Sequence, residues 1–498
     1  MSRYIFSAVA GVLIAAAASA EVSVAVDATK EIGRVPRELF GTGVRMNMEA
    51  GEAVVKLMKE TGITVMRYPD AVDNGYRWKW PEGVMTKAGR AGVSELSKLD
   101  GALAFAKKVG AKLVFTVRIH EYDGATPEQA AELVRQLGKR GITGACFALG
   151  NEPYFKGNKN FFPREKYVAM VKRYVPAIKK ADPTAKVGLS IGGMWIEKHS
   201  DKGRNSHIIK ATADIVDFAE FHCYPGRRQR NTDAFDGLKV AAGAQQIELE
   251  IKDLKEVIRR NAPARAGKLE IHIWEWHGPH TPLGDMHRLA TALHGADALG
   301  VMARHGVKLA CQYNMQEHWC GLVPGFRKAF PQDRWGSEKW NGVTVRPIAY
   351  SMRLWSKHMG PRLIDCRASG AGTYTSKDWH TFANFHGEVP YVAAWATLSE
   401  GGDTLGLMLI NKHPTSDLDA KVRLTGFTPK PSATRRAITG PGYGAHNDDD
   451  SKPLPYRSKT PAPPIRVKLS ESEFTKAGAR FRIRLPKHSV THLELKKR

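Results

Sequence analysis

Three short stretches set the reading of this chain: Lys112-Leu113-Val114-Phe115-Thr116-Val117-Arg118, then Thr126-Pro127-Glu128-Gln129, then Ala145-Cys146-Phe147-Ala148-Leu149. The first and last are apolar runs of strand length. The middle one opens a helix, with Thr as cap, Pro in the first helical position and Gln completing a capping box. Strand, crossover helix and strand make one β/α unit, the building block of parallel sheets. Outward from it, similar runs recur at Leu39 to Val44, Thr64 to Arg67, Lys186 to Ser190, Ile215 to Phe221, Leu269 to Trp274 and Val307 to Gln312, which makes eight strand candidates. Between them, Tyr167 to Lys180, Glu248 to Arg260 and Arg288 to Ala303 repeat apolar residues three and four apart, as amphipathic helices do. Eight units over about 320 residues fit an α/β fold of the (β/α)8 TIM barrel type better than an open doubly wound sheet. The open sheet usually carries a glycine-rich phosphate fingerprint, and neither GxGxxG nor a P-loop occurs.

On either side of the barrel the pattern changes. Beyond about Gly360 come short alternating strands, at Tyr391 to Leu398, Thr404 to Ile410, Lys421 to Phe427, Phe481 to Leu485 and Val490 to Leu495, which read as an all-β domain. Glu21 to Ala28 alternates likewise, with Val22, Val24 and Val26 on one face, and is expected to pair with that sheet. Arg3 precedes an apolar run from Tyr4 to Ala18, and Ala18-Ser19-Ala20 is a small-x-small cleavage signal. The run is shorter than the roughly 20 residues of a membrane span. The expected division is therefore a signal peptide at 1–20, an N-terminal strand of the β domain at 21–30, a catalytic barrel at 31–360 and a C-terminal β-sandwich at 361–498. The mature protein is expected to be secreted or periplasmic, with no membrane insertion once the signal is cleaved. Gly440 to Pro464 reads as an exposed loop, and its Asp448-Asp449-Asp450 as a solvated acidic turn in preference to a calcium site.

The 498 residues include 42% hydrophobic ones, enough for a sizeable core, which excludes a disordered chain or a fibre. Lys and Arg number 75 against 50 Asp and Glu, a formal charge of +25 that calls for an anionic partner or forms a basic solubilising surface. Five cysteines are too few for a disulfide scaffold, and the count is odd. Cys146, Cys223 and Cys311 fall in apolar strands as buried thiols, while Cys320 and Cys366 pair only if the fold brings them together. No CxxC or Cys/His ligand spacing is present, so structural zinc is not expected, and no other feature implies a metal or an organic cofactor.

In a (β/α)8 barrel the active site lies at the C-terminal ends of the strands. The fourth strand runs into Gly150-Asn151-Glu152-Pro153 and the seventh into Glu275-Trp276-His277. Carboxylates three strands apart face each other across the mouth, the arrangement that retaining glycoside hydrolysis needs. The apolar neighbours Pro153, Tyr154 and Phe155 favour a neutral acid at Glu152, whereas a nucleophile needs donors. His222 and Tyr224, just past Phe221 on the sixth strand, are placed to supply them to Glu275.

On Asn151-Glu152-Pro153, Glu275 and the His222-Cys223-Tyr224 stretch, the sequence resembles the clan A retaining glycoside hydrolases. Within that clan it looks most like the branch of α-L-arabinofuranosidases, β-xylosidases, α-L-iduronidases and heparanase-like β-glucuronidases, which add a C-terminal β-sandwich joined by an N-terminal strand. The resemblance implies that Glu152 is the acid/base, Glu275 the nucleophile, Asn151 the partner of the sugar 2-hydroxyl and Tyr224 a donor to the nucleophile. It also implies substrate-binding roles for Arg67, His120 and Trp319, at the second-strand arginine, polar and platform positions. Tyr68-Pro69-Asp70-Ala71 stands where arabinofuranosidases carry Pro-Gly-Gly, which weakens an arabinose assignment.

The loops after the strands are basic: Lys156, Lys159 and Arg164, then Lys198, Lys202 and Arg204, then Arg227, Arg228 and Arg230, then Arg327, Lys328 and Arg334. Tyr76, Trp78, Trp80, Phe161, Phe162 and Trp195 are interleaved as surfaces on which sugars stack. Arginine forks suit carboxylate and sulfate groups. The expected function is an exported retaining glycoside hydrolase acting on a polysaccharide, acidic through uronate or other anionic groups, with Arg227 and Arg228 in contact with it and no nucleic-acid partner. Arg482, Arg484, Lys487, Lys496 and Lys497 are basic too, so the loop charge also fits overall composition. The alternatives are a neutral-sugar exo-glycosidase (α-L-arabinofuranosidase or β-xylosidase) and a non-catalytic glycan-binding barrel.

Overall fold

The computed structural model describes residues 21–45, 48, 51–70, 76–79, 84–87, 95–120, 124–156, 161–226, 234–279, 285–317, 320–323, 345–378, 385–448 and 467–498. Eight parallel strands close into a barrel: Gly41–Gly43, Val65–Tyr68, Lys112–Val117, Cys146–Leu149, Lys186–Ser190, Phe218–Cys223, Glu270–Trp276 and Leu309–Gln312. Closure comes where Cys311 and Gln312 pair with Gly41 and Thr42. The sixth strand starts at Phe218, not at Ile215. Ile215 is exposed in a turn bonded to the carbonyl of Thr212. Asp217 makes the junction to the fifth strand, its amide donating to Val187 O and its carboxylate accepting from Val187 N at 2.7 Å. The helix Pro127–Gly138 opens as its sequence requires, with the Thr126 hydroxyl accepting from the Gln129 amide.

Inside the barrel, period-two alternation sorts the residues into layers. The floor is apolar: Val65, Val114, Ala148, Phe218, Trp274, Leu309 and Cys311. Two glycines make room for it. A Cβ on Gly188 would stand 2.1 Å from the Phe218 ring, and one on Gly41 would stand 2.8 Å from Cys311 Sγ. Two residues further along four of the strands come Arg67, Thr116, Ser190 and Glu220, all buried. The apolar floor thus carries a polar layer directly beneath the mouth.

Nine strands form one sheet in the order Lys468–Phe474, Ala433–Thr439, Ser489–Lys496, Thr404–Asn411, Val392–Leu398, Arg362–Ser369, Val22–Arg34, Leu418–Thr425, Arg480–Leu485. The N-terminal strand lies inside this sheet, antiparallel to Arg362–Ser369 and parallel to Leu418–Thr425. Its valines 22, 24 and 26 enter a cluster that also holds Ile483 from one end of the order and Leu407 and Leu493 from nearer the other. The sheet therefore folds over on itself as a sandwich.

Helix Leu289–Arg304 is the wall shared by the barrel and the sandwich, buried from Leu289 to Ala303. A helix enclosed on all sides has no polar face to show. Within it, Asp297 accepts from Trp395 Nε1 at 2.9 Å and pairs with Lys412, and Gly300 lies against the Trp395 ring.

Asp448 corrects one expectation. Instead of sitting in a solvated turn it is buried and grips Arg346 through both carboxylate oxygens, at 3.1 and 2.8 Å, because a buried guanidinium needs a counterion. Asp449 and Asp450 lie outside the described residues. All five cysteines are free. Cys320 sits with Met286 near the barrel mouth and Cys366 in the sandwich core, so they do not pair. Cys146 is only partly buried. Residues 1–20 lie outside the described residues, and among the described ones no helix is long and apolar enough to cross a membrane.

Candidate active site

Glu275 and Trp274 are sequence neighbours, yet both point inward, and a β-bulge is the reason. Ile273 pairs with Phe221 and Glu275 with His222, which leaves Trp274 as the extra residue. The bulge drops the Trp274 ring into the floor and turns Glu275 into the mouth, the re-aiming that bulges perform beside functional sites. Glu152 is aimed differently. Gly150 and Glu152 both adopt left-handed backbone, at φ 87° and 52°, and the chain bends sharply as it leaves the fourth strand. A left-handed glutamate is strained, a cost kept where geometry matters.

The two glutamates meet at His222. Its Nδ1 lies 2.9 Å from Glu152 Oε1 and 3.4 Å from Glu275 Oε2. One ligand atom from each of the three residues lies within 4.8 Å of the others, so the two carboxyl groups approach closely enough for double displacement, which places them about 5 to 5.5 Å apart. Exposure separates the pair: the Glu152 side chain is 22% exposed and that of Glu275 is 7%. Glu275 accepts from Arg67 Nη1 and from the Tyr224 hydroxyl. Burial alone would raise its pKa, but the charges of His222 and Arg67 and these hydrogen bonds outweigh it and hold the carboxyl well below its ordinary range.

Arg67 organises the polar layer. Fully buried, it donates to Thr116 Oγ1 at 3.0 Å, to Asp70 Oδ1 at 2.8 Å, to Asn151 Oδ1 and to Glu275. Asp70, also fully buried, is pushed up to about 6 by burial and by the charge of Glu275, against the pull of Arg67 and Arg45. Asn314 donates to it at 3.3 Å. Arg45 reaches Glu317 at 2.8 Å and lies over the Tyr313 ring, which meets Tyr224 edge-on.

Of the residues singled out in the sequence, Asn151, Glu152, Arg67, His222, Tyr224 and Glu275 come together at the mouth. His120 is buried at the end of the third strand with its ring against Phe162, and burial beside Arg118 pushes it down to about 4. Trp319, Arg227 and Arg228 lie outside the described residues, as do Lys159, Arg230, Arg327, Lys328, Arg334 and the side chains of Tyr76, Trp78 and Trp80.

Arg204 corrects the reading of the basic loops. It is buried and donates to the carbonyls of Phe162 and Pro153, which brace the loop that carries Glu152. Lys198 pairs with Asp253, and Lys156 donates to Ser200 O. Of these three cations Arg204 is built into the fold, while the two lysines make exposed contacts. Asp70, Glu220, Arg45, Glu317 and Asn314 belong to the site and escaped the sequence reading. The signal for Glu220 was its place two residues before His222.

Among the described residues, Glu152, His222 and Glu275 form the one group of His, Cys, Asp and Glu with the spacing of a metal-ligand set. Burial opposes the charge of His222, but Glu275 and Glu220, with the hydrogen bond to Glu152, raise it to about 9. A ring that keeps both protons has no lone pair to offer a metal. Arg67 and His222 already compensate the carboxylates.

No protein-family model matches the sequence, and no curated protein matches it. The structure is similar to solved glycoside hydrolases at low identity. An α-L-arabinofuranosidase from Thermotoga maritima in complex with arabinose superposes with TM-score 0.74 and 17% identity, over 96% of this chain and 100% of that one. A family 51 α-L-arabinofuranosidase from Bifidobacterium longum gives 0.72 and 16%, and a Paenibacillus polymyxa xyloglucanase of glycoside hydrolase family 44 gives 0.64 and 13%, each over 96% of this chain and 100% of its own. With its closed parallel barrel and the sheet that the N-terminal strand helps to build, the chain has the fold of the clan A glycoside hydrolases.

Proposed function

We propose that this protein is a retaining glycoside hydrolase, exported by its leader, that cleaves an acidic polysaccharide by double displacement, with its catalytic barrel at 31–360 and its β-sandwich at 361–498. The observation that carries the reading is the opposed pair Glu152 and Glu275, with one oxygen of each inside a 4.8 Å triangle with His222. Glu275, held ionised by Arg67, His222 and Tyr224, attacks the anomeric carbon. Glu152, the carboxyl that meets solvent, gives its proton to the departing oxygen. A bond from Glu275 to the sugar forms as the glycosidic bond breaks. Water then attacks the same carbon, Glu152 takes up its proton, and Glu275 is released as carboxylate. Asn151, fixed by Arg67, offers its side-chain amide toward the sugar.

The formal charge of +25 supports an anionic glycan. A second reading, a neutral-sugar exo-glycosidase, is favoured by the arabinofuranosidases among the similar structures. The test is reducing-end release from a panel of acidic and neutral polysaccharides by the wild type, Glu152→Gln and Glu275→Gln, with hits repeated at high salt. Activity on an acidic glycan, lowered about 10²- to 10⁴-fold in Glu152→Gln, at least as far in Glu275→Gln, and weakened by salt, is expected. Activity confined to neutral glycans would move the substrate to the second reading. A folded wild type that binds glycans and hydrolyses none would overturn the enzyme reading in favour of a binding barrel.

A further inference from the structure

One buried carboxylate beneath the two glutamates takes no part in the steps above. Glu220 stands fully buried on the sixth strand, in the inward-facing column Phe218, Glu220, His222, Tyr224 that rises to the mouth. Its Oε2 lies 3.4 Å from His222 Nε2, while Nδ1 of the same ring faces Glu152 and Glu275. The imidazole is thus flanked by carboxylates at both ends: Glu220 from its own strand, Glu152 from the exit of the fourth strand and Glu275 from the seventh. A neutral ring has one N–H and would turn a lone pair toward one of these oxygens, whereas the charged ring carries an N–H at both ends; the contact with Glu220 is an ion pair and not a hydrogen bond. Charge balance agrees. Asp70, Glu220 and Glu275 surround Arg67, Arg45 bridges Asp70 and Glu317, and a further positive charge at His222 offsets the remaining excess of carboxylates. Burial and the neighbouring Glu275 push the Glu220 carboxyl upward, and the charges of His222 above it and Arg67 on the second strand pull against that rise.

We propose that Glu220 is a positioning residue that keeps His222 doubly protonated, so that its Nδ1–H stays a fixed donor between Glu152 and Glu275. The consequence for turnover rests on the hydrolase reading above; the protonation of His222 does not. As the two glutamates exchange charge and proton during double displacement, a donor anchored from below keeps both aimed at the cleft and does not compete for the proton of Glu152. The direction of the His222 shift, upward against burial, is consistent with this.

The test uses the full chain with isotope-labelled histidine, the His222 ring signals being assigned by their loss in His222→Gln. The wild type is expected to show both ring nitrogens protonated at pH 7.5. Glu220→Gln is expected to lower the titration midpoint by at least about one pH unit, a tenfold loss of proton affinity. On an active substrate, the alkaline limb of its pH profile should move down by the same amount. An unprotonated nitrogen in the wild type at pH 7.5, or an unchanged midpoint in a folded Glu220→Gln protein, overturns the proposal. If Glu220→Gln does not fold, the wild-type spectrum alone decides. The ring titration needs no substrate, so a protein that turns over no glycan would sink the hydrolase reading and leave this result standing.

Discussion

Tyr224 shows how much of the site depends on single atoms. Its hydroxyl donates to the glutamate whose charge the barrel interior would otherwise suppress, and its ring is wedged edge-on against Tyr313. Tyr224→Phe keeps the ring and deletes the donor, so thermal stability should barely change while kcat/KM falls about 10²-fold, the usual cost of losing one preorganised donor. An equal loss of stability and activity would assign Tyr224 to packing instead. His222 sets a pH dependence of stability whose sign follows from its raised pKa. Stabilisation is fully present below about 6.5 and is lost as pH rises through about 9, because the folded state must release a proton it holds more tightly than the unfolded chain does. Wild-type melting temperature should therefore decline between these values, and His222→Gln should flatten that decline. Heat-denaturation curves recorded across pH 6 to 10 check both.

At the scale of elements, helix Leu289–Arg304 faces a choice between propensity and space. Gly300→Ala would gain roughly 1 kcal/mol of helix propensity. The new methyl, however, would stand 2.2 Å from the Trp395 ring system. Overpacking of this kind costs about 1–3 kcal/mol, so the variant should melt below the wild type in a denaturant titration. The elements themselves were largely legible. Eight β-branched runs announced eight barrel strands, and the alternation of Val22, Val24 and Val26 announced a strand of the far sheet, because burial on one face leaves a period of two in the sequence. Strands Arg362–Ser369, Ala433–Thr439 and Lys468–Phe474 went unread. Lys468–Phe474, a sheet-edge strand, exposes most of its side chains, and Ala433–Thr439 beside it carries two arginines in its middle. In the site, carboxylates at strand exits were readable because topology fixes where exits point. Asp70 and Glu220 were not, since a buried acid is recognisable only through partners on other strands. The charges of the loops misled in the opposite way: Arg204 counts as a cleft cation by position and is a brace of the fold by contact.

At the scale of the molecule, buried ion pairs join the barrel and the sandwich, Arg346 with Asp448 and Asp297 with Lys412. Asp297 and Lys412 are almost wholly enclosed. Lys412→Met would strand the carboxylate with only Trp395 Nε1 to donate to it, at a cost of about 3–5 kcal/mol. The double variant Asp297→Leu with Lys412→Met should recover most of that loss, since well-packed apolar pairs replace buried ions with little penalty. A double variant as unstable as the single one would mean that the pair does more than balance charge. The N-terminal strand ties the two halves together in time as well as in space. Its partner strands begin at Arg362 and Leu418, so it is synthesised well before either of them. At roughly 5–20 residues per second, the about 330 residues between Arg34 and Arg362 take on the order of 15 to 70 seconds to emerge. Throughout that interval neither of the strands that flank the valines in the finished sheet exists, while the barrel is threaded out behind them. The residues from Arg362 onward close a clasp whose first half was laid down tens of seconds earlier, and newborn chains cut short before Arg362 should be held by chaperones or lost to aggregation.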